Sequence, residues 1–407
     1  MPGYGAHYWA ERTADNRRKS HPKFRGQHTA DVVVIGGGLT GCAAAAAIAG
    51  AGLDVILLEA ERMATGSTAG GIGAILPQPD ASFRAVEATV GRRVARTAWE
   101  EARRSAVEFA AVLKKLPVKV DLQPANLFIN ADLISSVDGL RREHTARHDA
   151  DVDGALLSQT IGSRDLATRS FGALRMPGAS LFDPVRATLG LASLAESRGA
   201  KLFEQSRVIR TRFTRKDVTV VLTTGTITAR GVVVATGEPG TVFGQLRRHV
   251  RRQTGYAVVT HPLTAAMRRE VGSRKDVLTE IGETPHWIRW LPDDRAIVAG
   301  ALGRPVSAKL RDKALVQRTA QLMYELSVRY PVISGLPGAW SWDVPVVSTP
   351  DSLPWIGPHR NYPFHFFSMA FGWHGDGLAW LAAKAAARYF KNESRKSDEA
   401  FGFVRHL

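Results

Sequence analysis

Apolar residues run almost unbroken through Asp31–Ile35 and again through Leu53–Glu59, on either side of an Ala-rich stretch from Thr40 to Gly50. A short β-branched run with no polar alternation is what a parallel strand covered on both faces requires. Alanine is the best helix former, so the intervening stretch predicts a helix. The order strand, helix, strand predicts one βαβ unit. Helical periodicity from Ser82 to Lys115 is strongly charged and stops before Pro117; a second polar helix is expected over Ser136–His148, after a strand at Leu127–Ile129. Pro184 and Gly199 bracket another helix, with proline suited to the first turn and glycine to the end. Val218–Leu222 and Thr226–Thr228 predict a hairpin around Thr223-Thr224-Gly225, and Val232–Ala235 predicts another buried strand ending in Thr236-Gly237. Tyr256–Thr260, Trp287–Trp290 and Ala296–Ala299 alternate as antiparallel strands do, before a helix from Ala308 to Arg329. A last strand at Phe364–Met369 leads through a Gly-rich turn into an Ala-rich helix ending near Lys391.

Nucleotide-type strands thus fall in three separated stretches. The expected fold is α/β: a Rossmann-like dinucleotide domain (29–85, 180–245 and 345–392) interleaved with a smaller α+β domain built on an antiparallel sheet (86–179 and 246–344). Residues 1–28 read as a polar arm laid over the body, anchored by Tyr8-Trp9, and 393–407 as a tail. A length of 407 residues and 44% hydrophobic content allow a core for each domain.

The glycines sharpen the chemistry. Gly36, Gly38 and Gly41 form G-x-G-x-x-G between the first strand and the Ala-rich helix. The first glycine permits the tight turn, the second lets the backbone approach a diphosphate, and the third lets helix pack closely on strand. The helix start at Leu39-Thr40 offers free amides and the positive dipole end to phosphates. Glu59 ends the second strand eighteen positions after Gly41. An acid there, with Ala60 beside it, accepts hydrogen bonds from ribose hydroxyls and repels the extra phosphate of NADP.

Charge and cysteine bound the class. The net charge of +16 is spread over separate clusters (Arg17, Arg18, Lys19; Arg92, Arg93, Arg96; Arg247, Arg248, Arg251, Arg252) with no aromatic interleaving, so a nucleic-acid platform is not expected. Cys42 is the sole cysteine; it excludes an intrachain disulfide and a thiolate metal site, fits a reducing cytoplasm and reads as a small core residue. The uncharged stretch Val32–Leu53 is long enough for a bilayer, but glycines break it and its apolarity is alanine, so no membrane span is expected. Charges at Glu11, Arg12, Asp15, Arg17 and Arg18 argue against an export signal.

The βαβ unit alone leaves FAD and NAD open. Gly66-Ser-Thr-Ala-Gly-Gly71 and Gly372-Trp-His-Gly-Asp-Gly377 favour FAD, because small residues let a second ligand portion run beside the chain and amides at a helix start stabilise negative charge on a reduced flavin. Taken with DVVVIGGGLTG (31–41), VILLEA (55–60), VVVATG (232–237) and TPDSLPWIG (349–357), they resemble the D-amino acid oxidase, glycine oxidase and sarcosine oxidase superfamily over Asp31–Lys391. The Tyr8-Trp9 arm and Trp287-Ile-Arg289 look most like its γ-glutamylputrescine oxidase branch.

That resemblance implies an FAD-dependent oxidase or dehydrogenase that converts the C–N bond of a small amine or amino acid to an imine by hydride transfer to flavin N5, re-oxidised by O2 or an electron-carrier protein. It implies cofactor contacts from Glu59 to the ribose, from Ser67, Thr68 and Gly71 near the diphosphate or flavin, from Val208 to adenine, from Thr236-Gly237, and from Gly372, Trp373, Gly375, Asp376 and Gly377 to the isoalloxazine. Two departures stand out. The branch usually carries G-x-S-G-R-N where this chain has GSTAGG, so long polar groups are missing there. Asp376 stands where His or Asn is common. No tethering histidine is present and Cys42 is misplaced for a thioether, so FAD is expected to be non-covalent. No metal is required. Arg289 is the candidate for gripping a substrate carboxylate, with Tyr256, His374 and Asp376 as further candidate catalytic groups; ordinary sheet, turn and core positions are the competing readings for each. The alternation along His286–Trp290 leaves open which set faces inward. Competing functions are a flavin enzyme acting on an amine carried by tRNA, and a non-catalytic flavin-binding protein.

Overall fold

A computed structural model describes residues 3–13, 18–282 and 285–405; Asp15 and Arg17 lie outside the described residues. Two sheets organise the chain. The first runs in the order 355–359, 362–369, 225–237, 26–35, 55–58, 201–203, with the four strands from 362–369 to 55–58 and the edge strand 201–203 all parallel. Val32 pairs with Val55 and Val232 with Val33, so the predicted βαβ unit sits at the sheet's centre. The strand Gly26–Ile35 is solvated at its start and buried from Val32 onward, as its apolar run predicts. The predicted hairpin exists, but its second arm and the strand Val232–Ala235 are one element, Gly225–Gly237, which also carries a meander through 218–222 and 208–213.

The helix Leu39–Gly50 is buried on nearly every side. Alanine suits that position because its methyl lets backbones approach. The helices Pro184–Ser197 and Ala379–Phe390 close over it in one apolar cluster. On the other face, Phe24, Phe243, Trp355 and Phe367 form a separate core.

The second sheet has ten strands, with 338–348, 251–260, 296–303, 287–290, 277–280, 123–130 and 173–181 consecutive across it. The helix Arg311–Arg329 covers one face, against Tyr256, Val258, Ile288 and Trp290. The other face, with Ala257, Val259, Trp287 and Trp342, packs toward the first domain.

Several boundaries differ from expectation. Ala74–Ile75, expected in the dinucleotide domain, pairs with Leu181 and Ser180 in the second sheet. The helix Arg92–Lys114, expected in the substrate domain, packs through Ala98, Ala102 and Phe109 into the core of the first. Its charged face is solvated while a small-residue stripe matches the Ala-rich helices. Gly91, at φ +79°, splits the expected long helix into Phe83–Val90 and Arg92–Lys114. The strands 173–181 and 338–348 run across the expected boundaries at 179/180 and 344/345. The arm is embedded rather than laid over the body: Gly3–Tyr4 adds a parallel edge strand beside Trp340 and Ser341, and Tyr8 and Trp9 are buried.

Candidate functional site

Where the two sheets meet, a cavity of about 520 Å3 runs past the C-terminal ends of the parallel strands. This is the crevice where open α/β sheets receive ligands. Gly36, at φ +112°, turns the chain out of the first strand so tightly that a Cβ there would stand 2.5 Å from the Ala235 carbonyl oxygen. A Cβ on Gly41 would be driven into the Gly36 carbonyl. Gly38 caps the helix without any side-chain hydrogen bond. The Thr68 hydroxyl accepts from the Leu39 amide at 3.0 Å, which ties the loop at 66–71 to the helix start.

Glu59 is held from two sides. Its carboxylate accepts the Gly37 amide at 2.6 Å and the Glu61 amide at 2.7 Å. The carboxylate is therefore fixed at the strand end with lone pairs left toward the cavity. Gly36, Gly38, Leu39, Thr40, Glu59, Ala60, Ser67, Thr68, Val208, Thr236, Gly237, Gly372, Trp373, Gly375 and Asp376 all line the same space.

Residues 31–389 match the family model described as FAD dependent oxidoreductase, DAO. The chain belongs to this family. The γ-glutamylputrescine oxidoreductase of Escherichia coli (strain K12) is 23% identical over 383 residues, covering 93% of this chain and 87% of that protein. The fold matches glycine oxidase from Geobacillus kaustophilus with a TM-score of 0.76 at 21% identity, over 93% of this chain and all of that one (100%). It matches L-proline dehydrogenase from P. horikoshii with a TM-score of 0.74 at 18% identity, over 93% and 98%. The DAO-type fold and an FAD-dependent oxidoreductase are thus established for the chain.

The cavity fits the family's cofactor on its own terms. It joins an uncapped helix start, a side-chain-free turn and a fixed acid at one end to the small-residue loops 66–71 and 372–377 at the other. Three expected glycines act behind that wall. Gly41 packs on Gly36, Gly377 lies where a Cβ would meet the Leu76 carbonyl at 2.7 Å, and the Gly71 carbonyl receives the Trp9 indole N–H at 2.8 Å. Lining residues that sequence reasoning missed include Ser206, Arg207, Glu238–Phe243, Val344 and Val347. Glu238-Pro239-Gly240 directly follows the recognised VVVATG segment, so extending that motif would have found them. Asp80 had no such signal: its carboxylate accepts the Trp373 amide at 2.8 Å and the His374 amide at 3.1 Å, fixing the loop from nearly 300 residues away.

The candidate catalytic residues part company. Trp287 and Arg289 face the first domain, and Ile288 and Trp290 face the covering helix, which settles the alternation. Arg289 does not line the cavity. Its Nη1 donates to the carbonyls of Ile72 at 2.7 Å, Phe182 at 2.8 Å and Gly73, and its guanidinium lies 5.1 Å from the Trp9 ring centre. It is 1% exposed, its Nε has no partner, and burial pushes its pKa down to about 10. The expected carboxylate fork is corrected to a clamp on loop carbonyls. Tyr256 is also corrected: it lies in the cluster under the helix Arg311–Arg329, on the sheet face turned away from the cavity. His374 is buried behind the wall, 4.2 Å from the Trp287 ring and stacked on Trp373, with neither ring nitrogen bonded and its pKa driven down to about 4 by burial. Only Asp376 opens into the cavity. Burial pushes its carboxyl up to about 7, Arg289 opposing and Asp80 adding to the rise. Cys42 is buried in the alanine helix, and burial raises its thiol pKa. Among the described residues no helix is long and apolar enough to cross a membrane.

Proposed function

We propose that this chain oxidises the C–N bond of a small amine or amino acid to an imine, which water then hydrolyses to a carbonyl compound and ammonia or an amine. The observation that carries this reading is a single chamber joining the dinucleotide cradle at Gly36, Gly38, Leu39, Thr40 and Glu59 to a wall of Trp373, Phe371 and the Asp376 carboxyl. FAD, when bound, supplies the hydride acceptor; dioxygen or an electron-carrier protein takes the electrons onward. The protein's share is to hold the substrate's C–H bond in place, exclude water and keep the amine neutral. The names of the relatives, a γ-glutamylputrescine oxidoreductase, a glycine oxidase and a proline dehydrogenase, support a C–N substrate.

In this reading Glu59 holds the AMP ribose, Val208 meets adenine, and Ser67, Thr68, Thr236, Gly237 and Gly375 flank the diphosphate and flavin. The absence of a histidine from 66–71, with Cys42 sealed in the helix core, supports a non-covalent cofactor. Acid precipitation should leave all the flavin in the supernatant. The decisive experiment is anaerobic mixing of the holoenzyme with amino acids, N-methyl amino acids and polyamines, following loss of the visible flavin band. Bleaching by at least one of these classes is expected. A flavin that dithionite reduces but no amine does would refute the proposal.

A further inference from the structure

Asp376 is the one ionisable side chain on the apolar stretch of the cavity wall formed by Val344, Val347, Phe371 and Trp373. Its carboxyl has no hydrogen bond or ion pair among the described residues. Gly71 keeps it uncovered: a Cβ at that position would already touch Asp376 Oδ2 at 3.5 Å, and glycine leaves the space free. The neighbouring charges are committed elsewhere. Asp80 accepts two loop amides, and Arg289 is sealed against Trp9 and three carbonyls. Among the described residues the one cation lining the cavity, Arg207, pairs with Glu61 at the other end.

Building on the proposed amine oxidation, we infer that Asp376 receives the substrate's ammonium group and takes one of its protons, so that the substrate is an amine carrying no carboxylate on the reacting carbon. A carboxylate there would face the Asp376 carboxylate, with the Arg289 cation held behind the wall by loop carbonyls. In the proton transfer an N–H bond breaks and an O–H bond forms on Asp376; the freed nitrogen lone pair is what the C–N bond needs to become C=N. A carboxyl buried to about pH 7 in its titration is matched to that exchange near neutrality. The charged and titratable groups around it are Asp80 on the loop before Ser82, Arg289 on its strand and His374 in its own segment.

The test uses paired ligands on the FAD-loaded protein. tert-Butylammonium and pivalate share a shape, differ in charge and have no C–H bond to oxidise at the central carbon. Calorimetric titration should detect the cation and not the anion, with affinity falling as the pH drops below about 7, where Asp376 becomes neutral. Asp376→Asn should weaken the cation by roughly tenfold to a hundredfold, the loss expected for one charge-assisted contact, and should abolish that acidic limb. In anaerobic reduction, butylamine should bleach the flavin faster than norvaline, its counterpart with a carboxylate on the reacting carbon. Norvaline reacting as well as butylamine, or Asp376→Asn binding the cation like wild type, overturns the inference and leaves the proposed amine oxidation intact. If no amine of any kind bleaches the flavin, both fall.

Discussion

Trp9 offers the sharpest test of how the site is held. Its side chain is 1% exposed, its indole N–H donates to the Gly71 carbonyl at 2.8 Å, and its ring lies under the Arg289 guanidinium. Trp9→Ala removes that whole contact. Truncating a buried tryptophan costs about 3–5 kcal/mol. An unfolding entropy of about 2.1 cal/mol/K per residue over 407 residues gives close to 0.9 kcal/mol/K, so the loss is about 3–6 °C in Tm if the chain unfolds as a unit. Trp9→Phe keeps most of the apolar area and drops the hydrogen bond, worth about 1 kcal/mol, and should melt within about 2 °C of wild type. Because Gly71 closes the loop that carries Ser67 and Thr68 into the cavity, Trp9→Ala should also weaken FAD in a fluorescence titration of the apoprotein. Scanning calorimetry of both variants, with that titration, checks the two halves separately. A Trp9→Ala protein that melts with wild type would refute the buried arm; one that melts lower but binds FAD unchanged would refute the link from arm to cofactor loop.

Other outcomes follow from single contacts. Gly41→Ala drives a methyl into the Gly36 carbonyl and should purify with little or no flavin; a full flavin-to-protein ratio would contradict the close helix–strand packing. Arg289→Met removes the side-chain donor from the Ile72 and Phe182 carbonyls, while Gly73 keeps the Phe182 amide, and should cost about 2–4 kcal/mol in denaturant unfolding, with the preference between plain and carboxylate-bearing amines unchanged. A selective loss of carboxylate-bearing substrates would restore the fork reading. Cys42 should resist thiol reagents in the native protein and titrate as one thiol after unfolding; rapid native labelling would mean the alanine helix is open.

The dinucleotide end was legible because its signal is local. Strand, glycines, helix and acid all lie between Asp31 and Glu59, and a Cβ on Gly41 would run into the Gly36 carbonyl within that same turn. The substrate end was not. Which face of Tyr256 and Arg289 points inward depends on where the helix Arg311–Arg329 docks, and a period of two fits either choice. The strand at Ala74–Ile75 is too short to carry a pattern, and the pairing of Gly3–Tyr4 with Trp340 and Ser341 spans almost the whole chain. Asp80 escaped notice because its partners are amides, which no sequence motif records.

The sequence departure at 66–71 has a structural counterpart. Where the branch usually places long polar side chains on this loop, the chain has glycines, and polar heads arrive from outside instead. Trp342 and Trp373 donate to the Gly70 carbonyl at 3.1 and 3.4 Å, Trp9 to Gly71, and Arg289 to Ile72 and Gly73. A Cβ on Gly73 would lie 2.5 Å from Arg289 Nη1, so the cation occupies room that only glycine leaves. The loop's shape is therefore set by four distant elements: the arm, the strand 287–290, the strand 338–348 and the turn at 373. A Cβ on Gly70 would stand 2.7 Å from Val344 Cγ2 and 3.5 Å from the Trp342 indole nitrogen, so a long polar residue there would disturb that packing, whereas one on Gly71 would meet Asp376 Oδ2 at 3.5 Å. Asp376, beside Gly71, is the ionisable side chain on that stretch of the cavity wall.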